Sequence, residues 1–451
     1  VAETRILVPS GVLGLGFSAE ALAAGVARAP HAICIDGGST DSGPFYLGSG
    51  TSKYSRAACK AEWRQIMAAR AELGVPLIIG SSGTCGVDAM VDWMVAITEE
   101  LAAERGETLR IARLYCEQPP ARVAAAFGDG RVHDLTPAPS LDPDRIASLD
   151  HVVALAGVEQ IGAALDSGAD IIIAGRTTDT ATIAAMPMRR GTAPGIAWHG
   201  AKIAECGALC STHPTSGVIL VTFEADRFTV EAMEEGASCT PRSVSAHMLY
   251  ENADPVRLTE PGGHLDVSAA TYVDAGDGRV RVSGAVWHPD PIYKVKLEGA
   301  RRVGHQISLL ALLRDPHYVA NAAAWVDGLE RFLHGKITAQ MDLTRDAYHL
   351  EFRLIGRNAV LGALEAQTGT APELGVLCLV TAPDAATADE MAKLVNPFLL
   401  HHPLTPDEEL PTFAFPYSPA QSDRGPVYEF ALNHVMTLDD PMEAFRLEVD
   451  P

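Results

Sequence analysis

The sequence predicts an α/β fold, a doubly wound parallel sheet over the N-terminal half, on three observations. Short apolar runs recur with Ala-rich, helix-spaced segments between them. The runs are continuous rather than alternating, as in strands covered on both faces. Each run ends in a turn rich in Gly, Ser and Asp. At 451 residues the chain has the length of two or three domains and can bury a large core.

The elements follow in chain order. "TRILVPS" leads into "GVLGLGFSAEALAAGVARA", "HAICI" into "DGGSTDSGPFYLG", and "VPLIIG" into "SSGTCGVDAMVDWMVAITEELAAERG". "RIARLYC", "HVVALAG" and "ADIIIAG" are three more strands of the same grammar, the last opening the helical "RTTDTATIAAM". From about Gly217 the texture changes. "GVILVTF", "VRLTEPGGHLDVSAATYVD" and "GRVRVSGAVWH" alternate like antiparallel strands, with "DRFTVEAMEEGA" and "TPRSVSAHMLYEN" read as helices. The stretch "HQISLLALLRDPHYVANAAAWVDGLERFL" reads as helical. After it, "AYHLEFRLIG", "LGVLCLVTA", the helix "DAATADEMAKLVNPFLLHH" and "PVYEFALNHVM" suggest a small α+β sandwich. The expected division is a Rossmann-like domain with a ligand crevice over 1–215, an α+β region completing the site over 216–335, and a C-terminal α+β domain over 336–451. "FAFPYSP" and "PVYEFALNHVM", apolar and aromatic with few charges, predict that the last of these makes an oligomer interface.

Lys and Arg number 35 against 57 Asp and Glu, a formal charge of -22, with no basic run to offset it. Such a field repels nucleic acid and anionic membrane, so neither is expected as a partner. No stretch has the ~20 apolar residues of a membrane span, and the opening residues lack a signal-peptide pattern, so a cytoplasmic location is expected. The eight scattered cysteines read as reduced thiols.

In a doubly wound sheet the turns at the carboxyl ends of the strands line a ligand crevice. "GVLGLG", "DGGSTDSG", "SSGTCG" and "GRTTDT" are therefore expected to converge. The glycines of the first, at 11, 14 and 16, lack the order of a dinucleotide fingerprint, and "SSGTCG" lacks the Lys of a phosphate-binding P-loop. Asp36, Ser39 and Asp41 place two carboxylates close enough to disturb each other's ionisation; the alternative is that they cap turns. Ser81, Ser82 and Thr84 at the head of a helix suit an anion cradle, and Cys85 beside them is either a nucleophile or a buried thiol. Arg176 suits capture of a carboxylate, or else an internal pair with Asp179. Glu205 follows Lys202 by one helical turn and is an acid/base candidate, while Cys206, Cys210, His199 and His213 match no common zinc spacing. His247, Tyr250 and Glu251 fall on one helix face as a proton-transfer set, or as a self-satisfied helix end.

These motifs, with "KIAECGA", "CTPRSVSAHMLYE", "GRNAVLGALE" and "GPVYEFALNHVM", resemble the acyclic terpene utilisation AtuA family over nearly the full length. The resemblance implies a place in the breakdown of branched terpenoid acids and other small carboxylates, with a small companion protein as a second subunit. It carries over no catalytic residue. The residues themselves point to hydration, dehydration or isomerisation of a small carboxylate or its thioester. In that reading Asp41, Glu205, His247, Tyr250 and Glu251 are catalytic, and Asp36, Ser39, Ser81, Ser82, Thr84, Arg176 and Asp179 bind substrate. No cofactor is implied. The alternatives are metal-assisted hydrolysis, with a divalent metal on Asp36, Asp41 and His199 or Cys206, and a non-catalytic ligand-binding subunit.

Overall fold

The computed structural model describes residues 3–367, 369 and 371–450. A ten-stranded sheet runs in the spatial order Thr271–Gly276, Arg279–Ser283, Arg227–Ala232, Ile219–Phe223, Thr4–Val8, Ala32–Asp36, Leu77–Gly80, Ile171–Ala174, Ile111–Tyr115 and Arg446–Val449. The five strands from Thr4–Val8 to Ile111–Tyr115 are parallel. Ile6 lies opposite Ala32, Ile33 opposite Leu77, and Ile171 between Leu77 and Ile111.

Along these strands Ile6, Cys34, Ile78 and Ile172 enter one apolar layer, and Leu7, Ile33, Ile79 and Ile173 enter the other. Both faces are dry, which is why the runs show no alternation. Helices Arg56–Leu73 and Asp88–Arg105 cover one face with Trp63, Ile66, Met94 and Ile97. Helices Asp179–Arg189 and Pro194–Ala204 cover the other with Ile183, Trp198 and Ile203. Antiparallel partners close both sides of the parallel set, Ile219–Phe223 on Thr4–Val8 and Arg446–Val449 on Ile111–Tyr115, so neither outer parallel strand is left unpaired.

Three expectations are corrected. Arg227–Ala232, inside "DRFTVEAMEEGA", is a strand and not a helix: buried Phe228 and Val230 pair with Phe223 and Val221, a period of two. "HQISLLALL" belongs to the strand Tyr293–Leu313, in which Ile307, Leu309, Ala311 and Leu313 point inward against Leu374–Ala382; helix starts only at Pro316. His151–Ala154 is a strand, but it pairs antiparallel with residues 297–300 instead of joining the parallel sheet.

By compactness the chain groups into Val1–Arg301 with Phe430–Pro451, and Arg302–Glu429. The sheet above belongs to the first unit. In the second, Leu374–Ala382 lies between His349–Ile355 and residues 305–313, antiparallel to both, and helices Ala322–Met341 and Ala385–His401 supply Trp325, Leu329, Met391 and Val395 to its core. Phe413, from the aromatic stretch expected at an interface, packs here against Tyr318 and Trp325, with ring centroids 5.0 and 5.2 Å apart. Among the described residues no helix is long and apolar enough to cross a membrane.

Candidate active site

A cleft of about 660 Å³ opens at the carboxyl ends of Thr4–Val8 and Ala32–Asp36. Three of the four predicted turns line it: the Ser10–Gly16 turn, the Asp36–Ser42 turn, and Asp179 after Ile171–Ala174. Lys53, Tyr54, Cys206, Leu209, Tyr250 and Glu251 complete the wall. Gly11 lets the first turn approach the backbone of Cys206, where an added Cβ would stand 3.1 Å from it.

The fourth turn, "SSGTCG", is a shelf beneath the cleft. An added Cβ on Gly37 would meet the Ser81 carbonyl at 2.7 Å, and one on Gly38 the Thr84 Cα at 2.7 Å. Ser81, Ser82 and Thr84 are fully buried. The N–H groups of Ser81, Ser82, Thr84, Cys85 and Gly86 donate to the carbonyls of Gly175, Ala174, Gly37, Gly83 and Ser82. The anion cradle expected here therefore has no donor to offer from these five groups, because the turn spends them on its neighbours. Burial pushes the Cys85 thiol up to about 11, the opposite of an activated nucleophile.

Arg176 is spent as well, which corrects its assignment to substrate capture. Its Nε donates to Glu298 Oε2 at 3.0 Å and one terminal nitrogen to Ser81 Oγ at 3.0 Å; the other reaches Thr40 Oγ1 at 3.3 Å. Lys296 Nζ holds the second oxygen of Glu298 at 2.7 Å. Burial pushes the Glu298 carboxyl up, but the two cations outweigh it and bring it down to about 2. This buried network ties the Asp36–Ser42 turn, through Thr40, to the sheet edge.

Among the described residues Asp36, Asp41, Asp179 and Glu251 bring carboxyl groups to the cleft. Asp36, 7% exposed, accepts the Gly38 N–H on Oδ2 at 3.0 Å, and its Oδ1 has no partner. Burial and the charge of Asp179 push its pKa well above the usual range. Asp179 lies 3.8 Å from Arg176. Burial raises it to about 6, against the pull of Arg176 and Lys202 and with the push of Asp41 and Glu251. Ser39 caps the Thr40–Ser42 turn by accepting the Asp41 N–H, which leaves the Asp41 side chain exposed at the rim. Lys53 is the only Lys or Arg in this wall among the described residues; its Nζ donates to Ser42 Oγ at 3.2 Å, and Thr84 Oγ1 accepts its backbone N–H. Sequence reasoning missed it, since "GTSKYS" follows no strand.

Helix Pro241–His247 ends before Tyr250 and Glu251, so the predicted helix face does not form. A turn with Glu251 at φ +57° brings both residues to the cleft instead. The His247 and Tyr250 rings still stack, with centroids 5.5 Å apart. Burial and a bond to Glu251 hold the Tyr250 hydroxyl well above its ordinary range. Glu205 and His247 do not line the cleft but lie beside Cys206, which does. Glu205, 6% exposed, is bonded to Lys202; burial pushes its carboxyl up to about 8. Glu260, also unanticipated, accepts from Thr180 Oγ1 at 2.7 Å and is raised by burial to about 7. His199 is not with Asp36 and Asp41: it is fully buried and bonded to the Tyr272 hydroxyl at 3.0 Å. That removes it from the expected metal set.

Fold and site together define an α/β protein with an acidic cleft at the carboxyl edge of the parallel strands of a mixed sheet. Residues 49–200 and 220–414 match the acyclic terpene utilisation family protein AtuA. The match takes in most of the chain, and the protein belongs to this family, whose role is terpene utilisation. No curated protein and no solved structure matches it.

Proposed function

We propose that the protein is an enzyme that moves protons on a small carboxylate or its thioester, in a hydration, dehydration or isomerisation beside the carbonyl. The observation that carries this reading is the meeting of Asp179, Asp41, Tyr250 and Lys53 on one cavity wall. Asp179, raised toward neutrality, is the base that takes the α-proton. Tyr250, held protonated at neutral pH, donates its proton to the departing hydroxyl, which leaves as water. Lys53 and the backbone of the Asp36–Ser42 turn receive the polar head of the substrate, and Asp41 orients it from the rim. Leu15, Val12 and Leu209 offer apolar wall to the rest of an acyl chain.

Purified protein assayed against branched and unbranched short-chain acids and their thioesters tests the reading. Asp179→Asn should cost about 10²–10⁴-fold in kcat, the usual worth of a general base. Variant turnover within a few-fold of wild type would dismiss Asp179 as the base.

A further inference from the structure

We propose that Glu205, Cys206 and His247 form a binding site for a borderline-soft divalent cation, Zn²⁺ in class, beside the cleft and with one coordination position open. The proposal goes beyond the proton-transfer reading and does not depend on it.

The geometry comes first. One carboxylate oxygen of Glu205, Cys206 Sγ and one ring nitrogen of His247 lie within 4.8 Å of one another. Three donors of mixed O, S and N type at that separation can contract onto one tetrahedral ion and leave its fourth position free. Cys206 also lines the cleft, so the three donors adjoin the cavity.

His247 is the second, independent observation. It is 5% exposed, and its Nε2 is buried with no hydrogen-bond partner. The ring is bonded elsewhere to the backbone of Lys202. That leaves Nδ1 donating to a carbonyl and Nε2 presenting a lone pair, the arrangement found in metal-ligating histidines. The stacked Tyr250 ring fixes its plane. An unpaired buried imidazole nitrogen costs stability unless something occupies it.

A bound dication takes Cys206 as thiolate, its proton leaving to solvent. A thiolate in the set selects Zn²⁺ over Mg²⁺ or Ca²⁺.

The test is binding to chelator-treated protein, read without substrate, so that it fails separately from the catalytic proposal. Co²⁺ titration should saturate at one equivalent with a near-ultraviolet thiolate-to-metal absorption. Cys206→Ser should abolish that band, and His247→Ala should weaken binding by more than about 100-fold. Peptide mapping after iodoacetamide should show Zn²⁺ protecting Cys206 in the wild-type chain, an arm that needs no variant to fold. Absence of the band in wild type, its survival in Cys206→Ser, or equal alkylation of Cys206 with and without Zn²⁺ would each overturn the site.

Discussion

Asp36 and Asp179 both lie at the carboxyl edge of the parallel strands, one ending Ala32–Asp36 and the other opening the helix after Ile171–Ala174, yet their surroundings assign them different work. Asp36 is bonded to its own turn, and burial with the charge of Asp179 pushes its carboxyl well above the usual range. Asp36→Asn keeps the side chain's shape and removes the charge that burial disfavours, so thermal stability should stay nearly unchanged. Asp36→Ala strands the Gly38 N–H and should cost about 1–3 kcal/mol by denaturant titration. Asp179 must be ionised to act as a base, so activity should rise with pH through about 6; a rate profile flat from pH 5 to 8 would exclude it. The legible part of the site was the set of polar groups following apolar strands: Asp36, Ser39, Asp41 and Asp179. Tyr250 and Glu251 were legible as residues but not in their placement, since the turn that delivers them depends on one left-handed residue. Lys53 carried no local signal, because tertiary packing alone brings it to the cleft, and the same holds for Glu260 beside Thr180.

The "SSGTCG" turn shows how an element can matter to a site without touching the ligand. Ser81 and Thr84 adopt φ of +45° and +77°, a conformation that costs bulky residues about 1–2 kcal/mol each and persists only when its surroundings impose it. What imposes it is close backbone packing. Gly86 has φ +67°, and a Cβ there would stand 2.3 Å from the Arg176 N. Gly86→Ala should therefore destabilise the protein by at least about 2 kcal/mol, and the surviving folded fraction should lose activity through the displaced Asp179 turn. Urea unfolding at the wild-type midpoint would contradict this. The parallel strands were readable because burial on both faces leaves an unbroken apolar run. The strands 227–232 and 293–313 were misread in part because their alternation sits beside Ala- and Leu-rich segments, and only pairing with 219–223 and 374–382 decides the period.

For the whole molecule, the sequence texture marked where parallel gives way to antiparallel structure, but not that residues 219–232 and 271–283 extend the first sheet or that Arg446–Val449 returns to its far edge. Those pairings join segments distant in the chain, which local periodicity does not encode. The buried Arg176–Glu298–Lys296 network gives this unit a pH dependence of its own. Glu298 folds with a pKa near 2 against an ordinary 4.5, so its contribution is present above about 4.5 and is lost as pH falls toward 2. Between pH 5 and 3 the wild type should lose more unfolding free energy than Glu298→Gln; parallel losses would show that the network adds nothing. The central claim, that the cleft takes a proton from beside a carbonyl, is tested most directly by isotope exchange. Purified protein is incubated in D₂O with short-chain acids and their thioesters, and deuterium at the α-carbon is read by mass spectrometry. Wild type should exchange with at least one substrate that binds the cleft, and Asp179→Asn should slow that exchange about 10²–10⁴-fold. A ligand that binds the cleft and acquires no deuterium would contradict that claim and leave the chain a binding protein.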